Sequence, residues 1–269
     1  MKKYTQAKET FIDEINVDEY VDIESSKAAY NQLVHSLDKS LKMALVFGVP
    51  GTGKSLLLSK VYYDKRHQKE LHYFDTPIVI KKDFFNKLFK VLTKKEIPSG
   101  SNVNFEVFVE YLKDLKGQRE IVIMLDEAQL YPRDILEEIR ILSDSGAIKF
   151  VIALHKTDDE ELLAKKHFQS RIWETIELKN ASKSELKTYI HKKLLIANQF
   201  DIANLIKDRH IAFAYKYTNG NYREVNKFFY TIFEIYEYYA GYDTSKINQK
   251  KFSKKIMEMA AIKLGYIDV

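Results

Sequence analysis

Short unbroken apolar runs alternate with amphipathic segments along the first two-thirds of the chain. Met43-Ala44-Leu45-Val46-Phe47 and Ile121-Val122-Ile123-Met124-Leu125 carry no polar residue at all, and Ile148 to Leu154 is nearly as apolar. Strands of this kind suit a parallel sheet covered on both faces. Helices are predicted between them. One spans about Ser25 to Leu37, with Ala29, Leu33 and Leu37 on one face, and one spans Lys54 to His67. Another starts at Asp83, with Phe84, Phe85, Leu88, Phe89 and Leu92 on its apolar side, and a fourth runs from Asn104 to Lys116 with Phe105, Phe108, Val109 and Leu112. Pro132 opens a fifth through Ile135, Leu136, Ile139 and Leu142, ending before Gly146. A strand interrupted by Pro77 is expected over Tyr73 to Lys81, a loop at Pro98 to Asn102, a short helix over Asp158 to Phe168, and a last strand over Trp173 to Leu178.

After Asn180 the strands stop. Helices are predicted at Ser182 to Ala197, about Ile202 to Tyr217, Tyr222 to Tyr239 and Gln249 to Leu264. Ser182 and Glu185 form a capping-box pair that marks a firm start. The third of these helices carries Phe228, Phe229, Tyr230, Phe233, Tyr236, Tyr238 and Tyr239 around most of its circumference without a basic stripe, which points to packing within a small helical domain. Three regions follow. Residues 1–42 form an N-terminal arm and helix packing on the core, with Phe11, Ile12, Ile15 and Val17 as docking positions; residues 43–180 form the core; residues 181–269 form a helical lid.

The chemistry concentrates at strand ends. Gly48-Val49-Pro50-Gly51-Thr52-Gly53-Lys54-Ser55 matches G-x-x-x-x-G-K-[ST] between a strand and a helix that Leu56 continues. In such a loop consecutive backbone N–H groups face phosphate oxygens, Lys54 reaches the outer phosphates, and the Ser55 hydroxyl meets a magnesium ion that bridges them. The nucleotide positions are therefore Gly48 through Leu56. Asp126 and Glu127 close the second apolar strand about 70 residues on, at the edge where parallel sheets bind ligands. Asp126 is assigned to the magnesium shell and Glu127 to the water that attacks the γ-phosphate. His155 ends the next apolar strand and reads either as a group touching the γ-phosphate or attacking water, or as a solvated strand end.

Three further positions stand out, two of them open to two readings. Arg171, before the last strand, either reaches the nucleotide of a neighbouring subunit or forms a surface ion pair. Arg223 opposes the dipole of the helix it begins, so it should have a partner elsewhere. The segment containing Tyr20 and Val21 either folds over the nucleotide base or serves as a packing arm.

Composition narrows the class without deciding it. The 269 residues contain no Cys, which excludes disulfides and thiolate metal sites, and the seven His have no spacing that suggests structural zinc. A formal charge of +5 from 43 basic and 38 acidic residues permits contact with nucleic acid or an acidic surface but does not indicate it. No apolar run approaches the roughly 20 residues that span a bilayer, and the start of the chain has no apolar signal core, so a cytoplasmic protein without an integral membrane segment is expected.

Taken together, GVPGTGKS (48–55), IVIMLDEAQ (121–129), His155, SRI (170–172) and GNYREVN (220–226) resemble an AAA+ ATPase, and the likeness extends over nearly the whole chain. That resemblance implies an α/β fold: a P-loop NTPase with a parallel sheet sandwiched by helices, followed by a small all-helical lid domain. It also implies ATP and Mg2+ as ligands, ATP hydrolysis, sensor roles for His155 and Arg223, an arginine-finger role for Arg171, and a homo-oligomer or hetero-assembly. The stretches DEAQLYPRDILEEIRILSD and RIWETIELKNASKSELKTYIHKKL are similar to the ExeA/GspA group, which is related to the transposition helpers TniB and MuB. That group often has Gln near the position of His155 and Pro at that of Tyr222. This narrower likeness implies a partner in a secretion, type IV pilus or DNA-uptake apparatus, and an association with the inner membrane through partners. The alternatives are an ATP-dependent DNA-binding helper of transposition or replication, and a nucleotide-gated scaffold with little turnover.

Overall fold

The computed structural model describes residues 2–95, 105–155, 170–242 and 251–268. The expected loop at Pro98 to Asn102 and the short helix over Asp158 to Phe168 lie outside the described residues. The chain divides into two compact units, one of residues 28–50 and 54–178, the other of residues 1–27, 51–53 and 179–269.

The first unit is built on five parallel strands: β1 (Met43–Gly48), β2 (Glu70–Phe74), β3 (Ile121–Leu125), β4 (Ile148–His155) and β5 (Ile172–Leu178), in the order β2-β3-β4-β1-β5. The apolar runs are explained by what covers them. Met43, Leu45, Ile121, Ile123, Leu125, Phe150 and Ile152 join one core with α4 (Lys81–Thr93), α5 (Phe105–Leu115) and α6 (Arg133–Asp144), through Phe84, Leu88, Phe108, Leu112, Ile135 and Ile139. Their immediate neighbours Ala44, Val46, Val122, Met124, Val151 and Ala153 join a second core with Leu33 and Leu37 of α2 (Glu24–Asp38) and Leu57, Leu58 and Val61 of α3 (Lys54–Lys65). Side chains alternate between sheet faces, so two covered faces require an apolar residue at every position.

The strand expected from Tyr73 to Lys81 is instead Glu70–Phe74, with α4 already formed at Lys81. Pro77 has no N–H to donate to a ladder, and the residues around it serve as the connection. The strand start is held by Arg119, whose Nε donates to Glu70 Oε2 at 3.0 Å and whose Nη1 donates to Leu92 O at 2.8 Å.

The second unit is all-helical: α1 (Lys2–Glu9), α7 (Lys183–Ile196), α8 (Phe200–Leu205), α9 (Asp208–Thr218), α10 (Tyr222–Tyr242) and α11 (Lys254–Lys263). The Ser182–Glu185 capping box forms as expected. The helix expected over Ile202 to Tyr217 breaks in two, because Ile206 turns out of the helix into extended backbone and buries its side chain. The Lys207 N–H then donates to His210 Nδ1 at 2.9 Å, capping the next helix. The aromatic face of α10 is the centre of this unit, with Phe228, Phe229, Phe233 and Tyr236 buried.

Part of its cover comes from the start of the chain. Tyr4 stacks on Tyr236 at 4.9 Å between ring centroids and Phe11 on Phe229 at 5.2 Å. Residues 1–42 therefore do not pack on the core as one arm: residues 1–27 belong to the helical unit and residues 28–42 to the sheet unit. Phe11 is buried, whereas Ile12 and Ile15 are exposed. The buried ammonium of Lys193 donates to Thr10 O at 2.6 Å, which ties this arm to α7; burial pushes the Lys193 pKa down.

Candidate functional site

The parallel register brings the predicted chemistry to one edge of the sheet. Gly48, the last residue of β1, pairs with His155, the last of β4, and Leu125 at the end of β3 pairs with Ile152. The glycine loop leaves that edge and becomes helical at Lys54. Gly53 has φ +92°, a conformation that costs a residue with a Cβ but not glycine. Lys54 is buried, and its ammonium donates to the loop's own carbonyls, Gly48 O at 2.8 Å and Val49 O at 3.2 Å. The loop is thus closed around a cation at the amino end of α3. Ser55 and Leu56 occupy the first turn of that helix, Thr52 is buried and Val49 is exposed.

Beside the loop, the Asp126 N–H extends the ladder by donating to Phe74 O at 3.1 Å, which carries its carboxylate just past the sheet. Asp126 is 2% exposed; its Oδ2 accepts from the Tyr73 hydroxyl at 2.9 Å and its Oδ1 from the Glu127 N–H at 2.9 Å. Burial, and then the facing Asp126 carboxylate, push the Tyr73 hydroxyl well above the usual tyrosine range, so it remains a donor at any physiological pH.

Glu127 adopts a left-handed backbone, φ 48° and ψ 43°, before a single turn at Ala128–Leu130. For a residue with a side chain this costs about 1–2 kcal/mol, which the surrounding contacts must offset. Those contacts are specific. Glu127 Oε2 lies 3.1 Å from His155 Nε2 and accepts from Gln129 Nε2, while Gln129 Oε1 accepts from the His155 N–H at 3.2 Å. Gln129 Nε2 also lies 3.3 Å from His155 Nδ1. The imidazole tautomer with its proton on Nε2 satisfies the whole set, donating to Glu127 and accepting from Gln129. His155 is therefore a member of this cluster, with its side chain still about a quarter exposed, 26%.

The family model described as AAA domain matches residues 37–163, the span from α2 through the glycine loop to the end of β4 and beyond. Cdc6p from Pyrobaculum aerophilum superposes with a TM-score of 0.65 at 14% identity, over 95% of this chain and 70% of that one. ORC1 from Aeropyrum pernix in complex with DNA gives 0.61 at 15% identity, over 96% and 69%. Domain III of the replication initiation protein DnaA from Thermotoga maritima gives 0.54 at 14% identity, over 94% and 97%. The fold is that of an AAA+ P-loop NTPase. No curated protein sequence matches the chain. The family match reaches the AAA domain and stops there; the narrower likeness to the ExeA/GspA group is carried by the sequence motifs alone.

In the AAA+ frame the donors near the loop suit a magnesium ion. A serine hydroxyl and a carboxylate are hard oxygen donors, and among the described residues no cluster of three His, Cys, Asp or Glu forms an all-protein metal cage. Magnesium bound through one or two protein oxygens, with phosphate and water completing its shell, needs no such cage.

Of the two arginines, Arg223 stands against the loop, where a Cβ on Gly51 would come 2.8 Å from the Arg223 Cβ, and only Arg171 lies away from it. Arg171 immediately precedes β5, whose first residue Ile172 pairs with Met43, so it stands at the amino edge of the sheet, opposite the loop. There its Nη2 donates to Asp144 Oδ2 at 2.7 Å and its Nε at 3.0 Å, and this guanidinium holds the Asp144 carboxyl below the usual range. Of its two readings, the ion pair is the one present within the subunit. Arg223, in the helical unit, finds its partner in Asp13, with Nε to Oδ2 at 3.0 Å. Val21 is buried in that unit, and the Tyr20 hydroxyl donates to Ser26 O at 3.1 Å, which folds the segment onto the start of α2. Gln129 and Tyr73 had no place among the residues predicted for the site. The only sequence signal for Gln129 is its position two residues beyond Glu127 in the same motif, and Tyr73 had none. Among the described residues no helix is long and apolar enough to cross a membrane.

Proposed function

We propose that this chain is an ATP-driven switch that binds Mg-ATP and hydrolyses it. One observation carries the reading: a carboxylate held by two side chains, Glu127, stands at the sheet edge where the glycine loop leaves its strand. The loop amides and Lys54 hold the phosphates, with Lys54 exchanging its Gly48 and Val49 carbonyl contacts for phosphate oxygens. Ser55 and Asp126 hold the magnesium ion, which when bound neutralises charge on the phosphates. Glu127 polarises the attacking water, and His155 senses the γ-phosphate from its neighbouring strand. Lys54→Ala is expected to weaken Mg-ATP binding by at least about tenfold, measured by calorimetry, since it removes the one buried cation of the loop. Unchanged affinity would overturn the reading.

We further infer that the switch acts on DNA, as a helper of replication or transposition, and not at a secretion or pilus apparatus. The support is the likeness to an ORC1 solved on DNA and to a DnaA domain, together with the mild basic excess of the chain. Binding to duplex DNA should be stimulated by ATP and should fall steeply with salt. Absence of binding at low salt with ATP present would return the assignment to a protein partner of a secretion or pilus system. Arg171 completes a neighbour's site only if assembly draws it from Asp144. Mixing Arg171→Ala with Lys54→Ala protein should then restore part of the activity lost in each.

A further inference from the structure

Gln129 has no role in the hydrolysis described above, yet it makes the contacts that give Glu127 its direction. Its carboxamide has one donor group and one acceptor, and both are used: Nε2 donates to Glu127 Oε2 and Oε1 accepts from the His155 N–H at 3.2 Å. The amide serves both ends, whereas a carboxylate would offer no donor to Glu127 and an ammonium no acceptor to the β4 backbone. Glu127 leaves its strand through a left-handed residue, so its strand does not by itself aim the carboxylate.

We propose that Gln129 is a positioning residue for hydrolysis: by bridging Glu127 Oε2 to the end of β4 it orients the carboxylate that polarises water and couples it to His155. The proposal rests on the ATPase reading. The hydrogen bonds of Gln129 go to Glu127 and His155, so its loss should lower turnover and spare nucleotide affinity.

The informative substitution is Gln129→Glu, which preserves shape and the acceptor for the His155 N–H but replaces the donor with a second carboxylate facing Glu127. Its kcat is expected to fall about tenfold or more, the scale of losing one hydrogen bond to a charged group, with the Kd for Mg-ATP within about twofold of wild type. Gln129→Ala should behave alike, and its ATP affinity doubles as the check that the site is folded. In a Glu127→Gln background the same Gln129→Glu change should cost nothing further, since the carboxylate it orients is gone. A purely structural role predicts the opposite, namely equal proportional losses in both backgrounds. Full kcat in both Gln129 variants, parallel losses of affinity and kcat, or additivity with Glu127→Gln would each overturn the proposal while leaving the ATPase reading in place. Wild-type protein that binds Mg-ATP without turning it over would overturn both.

Discussion

Glu127→Gln protein is expected to turn over ATP at least about a hundredfold more slowly than wild type while binding Mg-ATP with nearly unchanged affinity. The substituted amide has the shape of the carboxylate and keeps an oxygen to accept from Gln129 and His155, so the cluster at the ends of β3 and β4 should persist. What it lacks is the basicity to take a proton from water as the water attacks. General-base catalysis contributes about 10²–10⁴-fold, and the phosphate contacts of the loop are untouched, so the loss should fall on kcat alone. Single-turnover hydrolysis with saturating protein separates this from a slow release step. A variant that hydrolyses at the wild-type rate would remove Glu127 from the chemistry; a wild type that binds ATP and barely hydrolyses it would turn the protein into a nucleotide-gated scaffold.

The parts of the fold that were legible in the sequence are those in which a local pattern meets a severe constraint. Met43 to Phe47 and Ile121 to Leu125 read as strands because both of their faces are covered, one by α4, α5 and α6 and the other by α2 and α3, which leaves no room for a polar residue. β2 was not legible in the same way. It lies at the sheet edge, mixes Glu70 and His72 with Leu71 and Phe74, and so carries no uninterrupted run. The glycine loop and the Asp126-Glu127 pair were readable because backbone approach and strand-end placement fix residue types at known spacings. Gln129 and Tyr73 were not, because their roles depend on a left-handed turn at Glu127 and on the register that pairs Phe74 with Leu125. The crowding of aromatics on α10 announced a core. That Tyr4 and Phe11 complete it is a long-range contact that no window of sequence contains.

The same dependence on tertiary contact makes one glycine of the helical unit sensitive to the smallest of substitutions. Gly220→Ala is expected to destabilise that unit by about 2–4 kcal/mol, seen as a fall in Tm of roughly 5–15 °C. Two effects add. Gly220 has φ +72°, where an L side chain costs about 1–2 kcal/mol. A Cβ there would also stand 2.0 Å from the Ala181 carbonyl oxygen, closer than any side chain is tolerated, and the atom it meets is backbone that cannot swing away. Relief requires separating the two segments, which breaks the bond from the Ala181 N–H to Gly220 O at 3.0 Å and strains the Asn221 to Asn180 side-chain contact at 3.2 Å beside it. Ala181 is buried at the residue before the Ser182 cap, so its N–H would lose its partner out of reach of water, at about 1–3 kcal/mol. The control is Asn219→Gly in the same turn. Asn219 is also left-handed, at φ 48°, and glycine relaxes that conformation, so its Tm should stay close to wild type. If Gly220→Ala melts with the wild type, the turn has a second arrangement that admits a side chain, and the close approach of residues 181 and 220 is not what fixes the start of α10.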